Sequence, residues 1–281
     1  MFSRKLRRYL RLQLVTSVMA SFTFGFLVSV LSNLVSVETL WLLPWITGVC
    51  AISGLVAFLL FMRRPVGIDV AIKCPVTIRT EQESLAYARR GFICFVPIYT
   101  PKRGSPADHL SAEERQLAIE TRNFDLLKLE ESNLYPTIKA ILTHASRLEY
   151  CWVLATIGKT SPGSLPFAGL LVDYLTQRYG VRCRFFYGQA YAIPLDEDAL
   201  VLQKTYRMVK DVLAEAERMN LDHREVVADF TTGFRSMTLG MILACLDGDQ
   251  DLEFIGTRYN DLGLQTGDLL PIIFGFEPHL E

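Results

Sequence analysis

The chain has 281 residues, half of them hydrophobic, and a formal net charge of −1. Near-neutral charge with both signs mixed excludes a broad basic face for long nucleic acid. Six scattered cysteines without a C-x-x-C pair, and four histidines without ligand spacing, exclude a zinc module and point to reduced, mostly buried thiols.

Residues 14–62 contain one charged residue, Glu38, whereas charges are frequent from Arg63 onward. Two apolar runs, residues 14–37 and 40–62, are each long enough to cross a bilayer, which takes roughly 20 apolar residues. Arg4, Lys5, Arg7, Arg8 and Arg11 precede the first run, and Arg63 and Arg64 follow the second. The positive-inside rule then puts both ends in the cytoplasm, with the turn at residues 36–39 outside and Trp41 and Trp45 at the interface. A cleaved signal peptide fits poorly, because the first run is too long, no small-x-small site follows it, and a second span comes at once. Residues 1–64 therefore read as a basic N-terminus and a transmembrane helical hairpin. The spans carry no charge, but Ser21 and Gly25, like Cys50 and Gly54, have the spacing that permits close helix approach. That pattern fits a pore-forming bundle and a passive anchor alike.

Pro65-Val66-Gly67 marks the exit from the membrane, and residues 65–149 read as a linker and an additional α/β segment. Within it "GFICFVPIYTP", residues 91–101, predicts a buried strand ending at a proline turn. A helix follows with its cap near Ser111 and Glu114 three residues on, the spacing of a capping box. "NLYPTIKAILTHASRLEY" predicts a further helix, with Leu134, Ile138, Ile141, Leu142 and Leu148 as its apolar stripe. Residues 150–281 alternate more regularly. "YCWVLATIG" is a strand, "SLPFAGLLVDYLTQRYG" a helix ending at Gly180, and "VRCRFFYGQAY" a strand. A long amphipathic helix over residues 196–220, the strand "EVVADF", the helix "SMTLGMILACLDG" and a last strand "LEFIGTRY" complete the series. Such alternation predicts an α/β fold with a parallel, doubly wound sheet.

Ligands in such sheets bind beyond the carboxyl ends of the strands. Two loops occupy that position, "ATIGKTSPGS" at residues 155–164 and "DFTTGFRS" at residues 229–236. Each offers small polar residues, a glycine and one cation, Lys159 or Arg235, ahead of a helix, a combination that suits a phosphate. The Gly158-Lys159-Thr160 run is not a P-loop, since Val153 stands where that motif needs its first glycine. Asp229 reads as the residue that ends its strand and organises the turn. His144 and His223 read as surface or helix-end residues. No metal cluster, paired carboxylates or nucleophile–base pair appears, so neither a catalytic centre nor a cofactor is expected.

The run Asp229-Phe230-Thr231-Thr232-Gly233-Phe234-Arg235-Ser236-Met237, followed by Leu239-Gly240, resembles the D-x-T-G-G-x-K-x-M signature of CARF domains, the cyclic-oligoadenylate sensors of type III CRISPR defence. SAVED domains of other nucleotide-signalling antiphage systems share that fold. A threonine stands where the first family glycine is expected, and Arg235 replaces the lysine, keeping the charge while changing its geometry. "CWVLATIGKTS" is similar to the family's first strand and ligand loop, and the resemblance covers residues 150–259. It implies a CARF-like (Rossmann-like) sensor at residues 150–281, a homodimer or higher homo-oligomer enclosing a symmetric ring of nucleotides. Family contact positions fall on Thr156, Gly158, Lys159, Thr160 and Ser161, and on Thr231, Thr232, Gly233 and Arg235. Tyr187 and Gln189 are further candidates for base contact, and Tyr99, Lys102 and Arg103 lie in a third loop. Some family members slowly cleave their own ligand within the sensor.

The expected protein is thus a membrane effector of antiphage defence in the bacterial inner membrane, its N-terminus and sensor cytoplasmic. It binds a cyclic oligonucleotide, cyclic tetra-adenylate first among them, and responds by pore formation or depolarisation. The alternatives are a SAVED-type effector of a CBASS-like system and a membrane-tethered sensor that recruits a partner without forming a pore.

Overall fold

The computed structural model describes Gly25, residues 68–248 and residues 250–280. The expected transmembrane hairpin, residues 14–37 and 40–62, lies outside these, and no described helix is long and apolar enough to cross a membrane. Val70–Glu277 form one compact unit.

That unit is α/β with a mixed sheet. The strands are β1 (Ile68–Ile72), β2 (Val76–Thr77), β3 (Gly91–Phe95), β4 (Tyr150–Ile157), β5 (Arg184–Phe186), β6 (Ala192–Pro194), β7 (Val226–Asp229), β8 (Asp251–Tyr259), β9 (Gln265–Phe274) and β10 (Phe276–Leu280). The helices are α1 (Glu81–Tyr87), α2 (Ala112–Glu120), α3 (Phe124–Leu127), α4 (Tyr135–His144), α5 (Leu165–Tyr179), α6 (Asp198–Arg218) and α7 (Arg235–Gly248). The main sheet runs β2-β9-β8-β7-β3-β4-β5, β6 also pairs with β4, and β1 pairs with β10 in a separate ribbon. The strands from β8 to β5 are mutually parallel. From β5 to β8 they stand third, second, first, fourth and fifth in order of appearance. The chain therefore winds outward from β3 to β5, then returns to the other side of β3 and winds the opposite way.

β3 is the centre of this arrangement, and all five of its residues are buried. Phe92 and Cys94 face one layer, with helices α2 to α5, while Ile93 and Phe95 face the other, with α6 and α7. That is the period-2 alternation of a strand covered on both sides, which reads in sequence as one continuous apolar run. Residues 65–149, expected as an added segment, thus supply the central strand. At the amino edge Arg90 clamps three strands at once. Its guanidinium donates to both oxygens of Glu149 at 2.7 and 2.8 Å and to Glu225 at 2.9 Å.

The helix ends follow their sequence signals. Ser111 and Glu114 form the reciprocal capping box at the start of α2, and Gly180 ends α5 at φ 63°. Two expectations need correction. "VRCRFFYGQAY" is not one strand: β5 pairs with β4 at residues 150–152, and β6 pairs with it at residues 155–157. Between them Gly188, at φ 100°, turns the chain off the ladder into a 3-10 turn. "LEFIGTRY" is not the last strand either, for β9 and β10 follow it. Pro271 stands inside β9, and proline cannot donate to a ladder. Its carbonyl accepts the Ile78 N–H on the β2 side, so its ring nitrogen also points away from β8, and the β8–β9 ladder loses nothing.

α7 lies so close to α6 that a Cβ on Gly240 would fall 2.7 Å from the Leu202 carbonyl oxygen and 2.9 Å from Thr205 Cβ. Gly240→Ala should therefore force the helices apart and cost about 1–3 kcal/mol, measured as a lowered urea midpoint.

Candidate functional site

The winding reverses between β3 and β7, so the crevice at the carboxyl edge is flanked by the segments that follow those two strands. The loop after β7 stands at the reversal. The loop after β4 is one strand removed from it.

The loop at residues 158–164 is built on one buried pair. Ser164 Oγ accepts the Thr156 N–H at 2.8 Å and its hydroxyl at 3.1 Å, while the Ser164 N–H donates to Thr156 Oγ1 at 3.1 Å. Thr156 is buried and fully engaged, so it shapes the loop rather than meeting a ligand. Gly163, at φ 59°, lies where a Cβ would be 2.4 Å from the Thr156 carbonyl oxygen, and only glycine fits. The Gly158 N–H closes a tight turn onto the Ser161 carbonyl at 2.9 Å. No described group accepts the N–H groups of Lys159, Thr160 and Ser161, all three exposed.

The second loop is moored more firmly. Asp229 Oδ1 accepts the Thr231 N–H at 3.1 Å and the Thr231 hydroxyl. Thr231 Oγ1 in turn accepts the Ile255 N–H at 2.7 Å. The Thr232 hydroxyl donates to the Phe95 carbonyl at 2.8 Å and lies 3.4 Å from the Thr137 hydroxyl. Gly233 takes φ 114° against the Phe95 ring, 2.9 Å from where its Cβ would stand. The hydroxyls of Thr231 and Thr232, expected as ligand contacts, are therefore spent on the protein. What faces outward is the N–H groups of Thr232, Gly233 and Phe234, which no described group accepts, and the exposed Arg235 at the start of α7. Free amides and a cation at a helix N-terminus suit an anion.

The start of α6 joins the two loops. Lys159 Nζ lies 3.6 Å from Asp196 Oδ1, and Ser236 Oγ lies 3.1 Å from Asp198 Oδ1. An open cleft of about 520 Å³ is lined there by Lys159, Leu195, Asp196, Glu197 and Leu200. Lys204, and then Lys159, hold the Asp196 carboxyl below its usual range. A phosphate at Lys159 must displace Asp196, and a loose exposed pair of this kind is readily given up. The acids at residues 196–198 were overlooked in the sequence; their signal was a run of three carboxylates just ahead of a helix.

Other candidates stand elsewhere. Tyr187 and Gln189 sit in the break between β5 and β6, partway along β4, and Tyr187 lies against α5 beside Gly169. β6, not β5, continues to the carboxyl edge. Tyr99 is buried and donates to the Leu127 carbonyl, whereas Lys102 and Arg103 are exposed. Asn133, unremarked in the sequence, clasps the segment after β3 by bonding the Ile98 carbonyl at 2.7 Å and the Thr100 N–H at 2.8 Å. Among the described residues no His, Cys, Asp or Glu cluster is arranged to hold a metal ion. No protein-family model and no curated protein matches the chain.

Ser164→Ala would leave the Thr156 N–H and the Thr156 hydroxyl proton without their acceptor and should cost about 1–3 kcal/mol. Thr160→Ala, on the exposed tip, should stay within about 0.5 kcal/mol of the parent. Chemical denaturation of the two variants side by side checks the assignment of Thr156 and Ser164 to the loop's foundation.

Proposed function

We propose that this protein is a membrane effector of antiphage defence whose CARF-like domain binds a cyclic oligonucleotide, cyclic tetra-adenylate first among the candidates. The supporting observation is the pairing of two loops around the start of α6. Each presents free backbone N–H groups and one exposed cation, at the edge where a doubly wound sheet takes its ligands. In this reading Gly158, Lys159, Thr160 and Ser161 on one side, and Thr232, Gly233 and Arg235 on the other, contact phosphates. A symmetric ring would be shared across the two-fold axis of a homodimer. Two spans at residues 14–37 and 40–62 hold the sensor on the cytoplasmic face of the bacterial inner membrane. The ligand drives pore formation or depolarisation only to the extent that it binds the active arrangement more tightly.

The test is calorimetric titration of the full-length protein in detergent with a panel of cyclic oligoadenylates and cyclic dinucleotides. One ring should bind, and Lys159→Ala and Arg235→Ala should each weaken it about 10- to 100-fold, the loss of a charge-assisted contact worth about 1.5–3 kcal/mol. Folded protein that binds no ring overturns the reading.

A further inference from the structure

Beneath the second loop runs a buried polar chain that ligand contact does not account for. Asp229, the last residue of β7, and Glu253 on β8 are register partners in neighbouring parallel strands. Their side chains therefore leave the same face of the sheet, from strands about 4.8 Å apart. Both are fully buried. His144, at the end of α4, is buried against them, with Nε2 2.8 Å from Glu253 Oε2. The Arg89 backbone N–H donates to His144 Nδ1 at 3.1 Å. Nδ1 is thus the acceptor, and the ring proton sits on Nε2, donated to Glu253. At the other end Asp229 Oδ1 already accepts two donors from Thr231. Two buried oxygens remain without a partner, Asp229 Oδ2 and Glu253 Oε1. They belong to adjacent acids, and two adjacent buried carboxyls do not both ionise. A single proton between them satisfies both atoms.

We propose that Asp229 is a neutral acid whose Oδ2–H donates to Glu253 Oε1, and that this shared proton, anchored by His144, positions the Thr231 turn that opens the second loop. Glu253 and His144 are then positioning residues. Burial first, and the Glu253 charge second, push Asp229 up to about 8, against the pull of the Thr231 bonds. The other groups around it fit this state. α4 brings His144 and the half-buried Lys139, and β3 brings Cys94, the register partner of Asp229. On β8, Asp251 is held by Arg89 at 3.0 Å, and Arg235 on the loop itself is exposed.

The sign of the pH dependence follows. The folded protein keeps a proton that the unfolded chain releases above the ordinary carboxyl value of 3.8, so this group favours folding most at acid pH. Its contribution falls as pH rises and is gone above about 8, where ionised Asp229 opposes Glu253 across the β7–β8 pair. A parallel loss of ligand above that pH rests on the functional reading above; the proton itself does not.

Infrared spectra and melting curves of the full-length protein in detergent, without ligand, test the proposal. Wild type should show a protonated-carboxyl C=O band at pH 7 that titrates away near pH 8. Asp229→Asn keeps the Thr231 bonds at Oδ1 and gives Glu253 an amide N–H, so it should fold, lose the band, and lose the decline in melting temperature between pH 5 and 8. Glu253→Gln donates to Asp229 instead and removes the neighbouring charge, and should move the titration of the band to lower pH than in wild type. Hydrogen exchange adds a local readout. Protection of the Ile255 amide, two residues beyond Glu253 on β8, should drop above pH 8 in wild type and hold in Asp229→Asn. A wild-type spectrum without the band at pH 7, or a band that survives Asp229→Asn, overturns the proposal, and the wild-type spectrum decides even where a variant fails to fold. Failure of every ring to bind would sink the ligand reading and leave these outcomes unchanged.

Discussion

Most of this structure depends on the pairing of β3 with β4 on one side and β7 on the other. Five buried residues have no access to water, so their backbone groups must find partners in the two neighbouring ladders. That requirement fixes where β3, β4 and β7 end, and so where their loops begin. The mooring continues past the strands. The Val96 N–H bonds to the Leu154 carbonyl, and the Phe95 carbonyl takes the Thr232 hydroxyl. At the opposite edge the Arg90 fork ties the same three strands through Glu149 and Glu225. One edge is closed by charge, while the other spreads into loops.

The sequence revealed local periods well and neighbour relations poorly. The apolar runs of β3, β4 and β7, the capping box at Ser111 and the stop at Gly180 are local signals, and each was legible. That β3 is central was not, because a long helical crossover separates it from β4 and nothing local records which strand lies beside which. The break at Gly188 and the place of β9 between β2 and β8 are likewise matters of pairing, and reading the segments from composition produced one strand too long and one end too early. Asp229 was legible as the residue that organises its turn. His144 was not: a histidine at a helix end reads as exposed until the fold buries it against Glu253. The sheet takes charge inside only where each buried acid has a donor to meet.

The electrostatics of the site explain why it does not announce itself as a basic patch. Lys159 and Lys204 share Asp196, and the start of α6 adds Glu197 and Asp198. Long-range attraction for the polyanion proposed above would thereby be small, and its recognition would fall to short-range donors at fixed places. A site built this way would discriminate by geometry, since a phosphate would be held only where free amides and a released cation coincide. The glycines and spent hydroxyls of both loops give those amides their direction.

The second loop is tied to β8 as well as to β3. The β7–β8 ladder ends at Glu253, and the next N–H on that side, from Ile255, is taken by the Thr231 side chain. A side chain thus extends the ladder by one step, into the turn. β8 then runs on from Phe254 to Tyr259 beyond its pairing with β7, six residues that span about 20 Å in extended form. Any contact that reshapes the Thr231 turn must break or shift the Ile255 bond, and the base of that long β8–β9 ribbon shifts with it. The loop and the ribbon are mechanically one element, joined at a hydroxyl whose other partner is a buried acid.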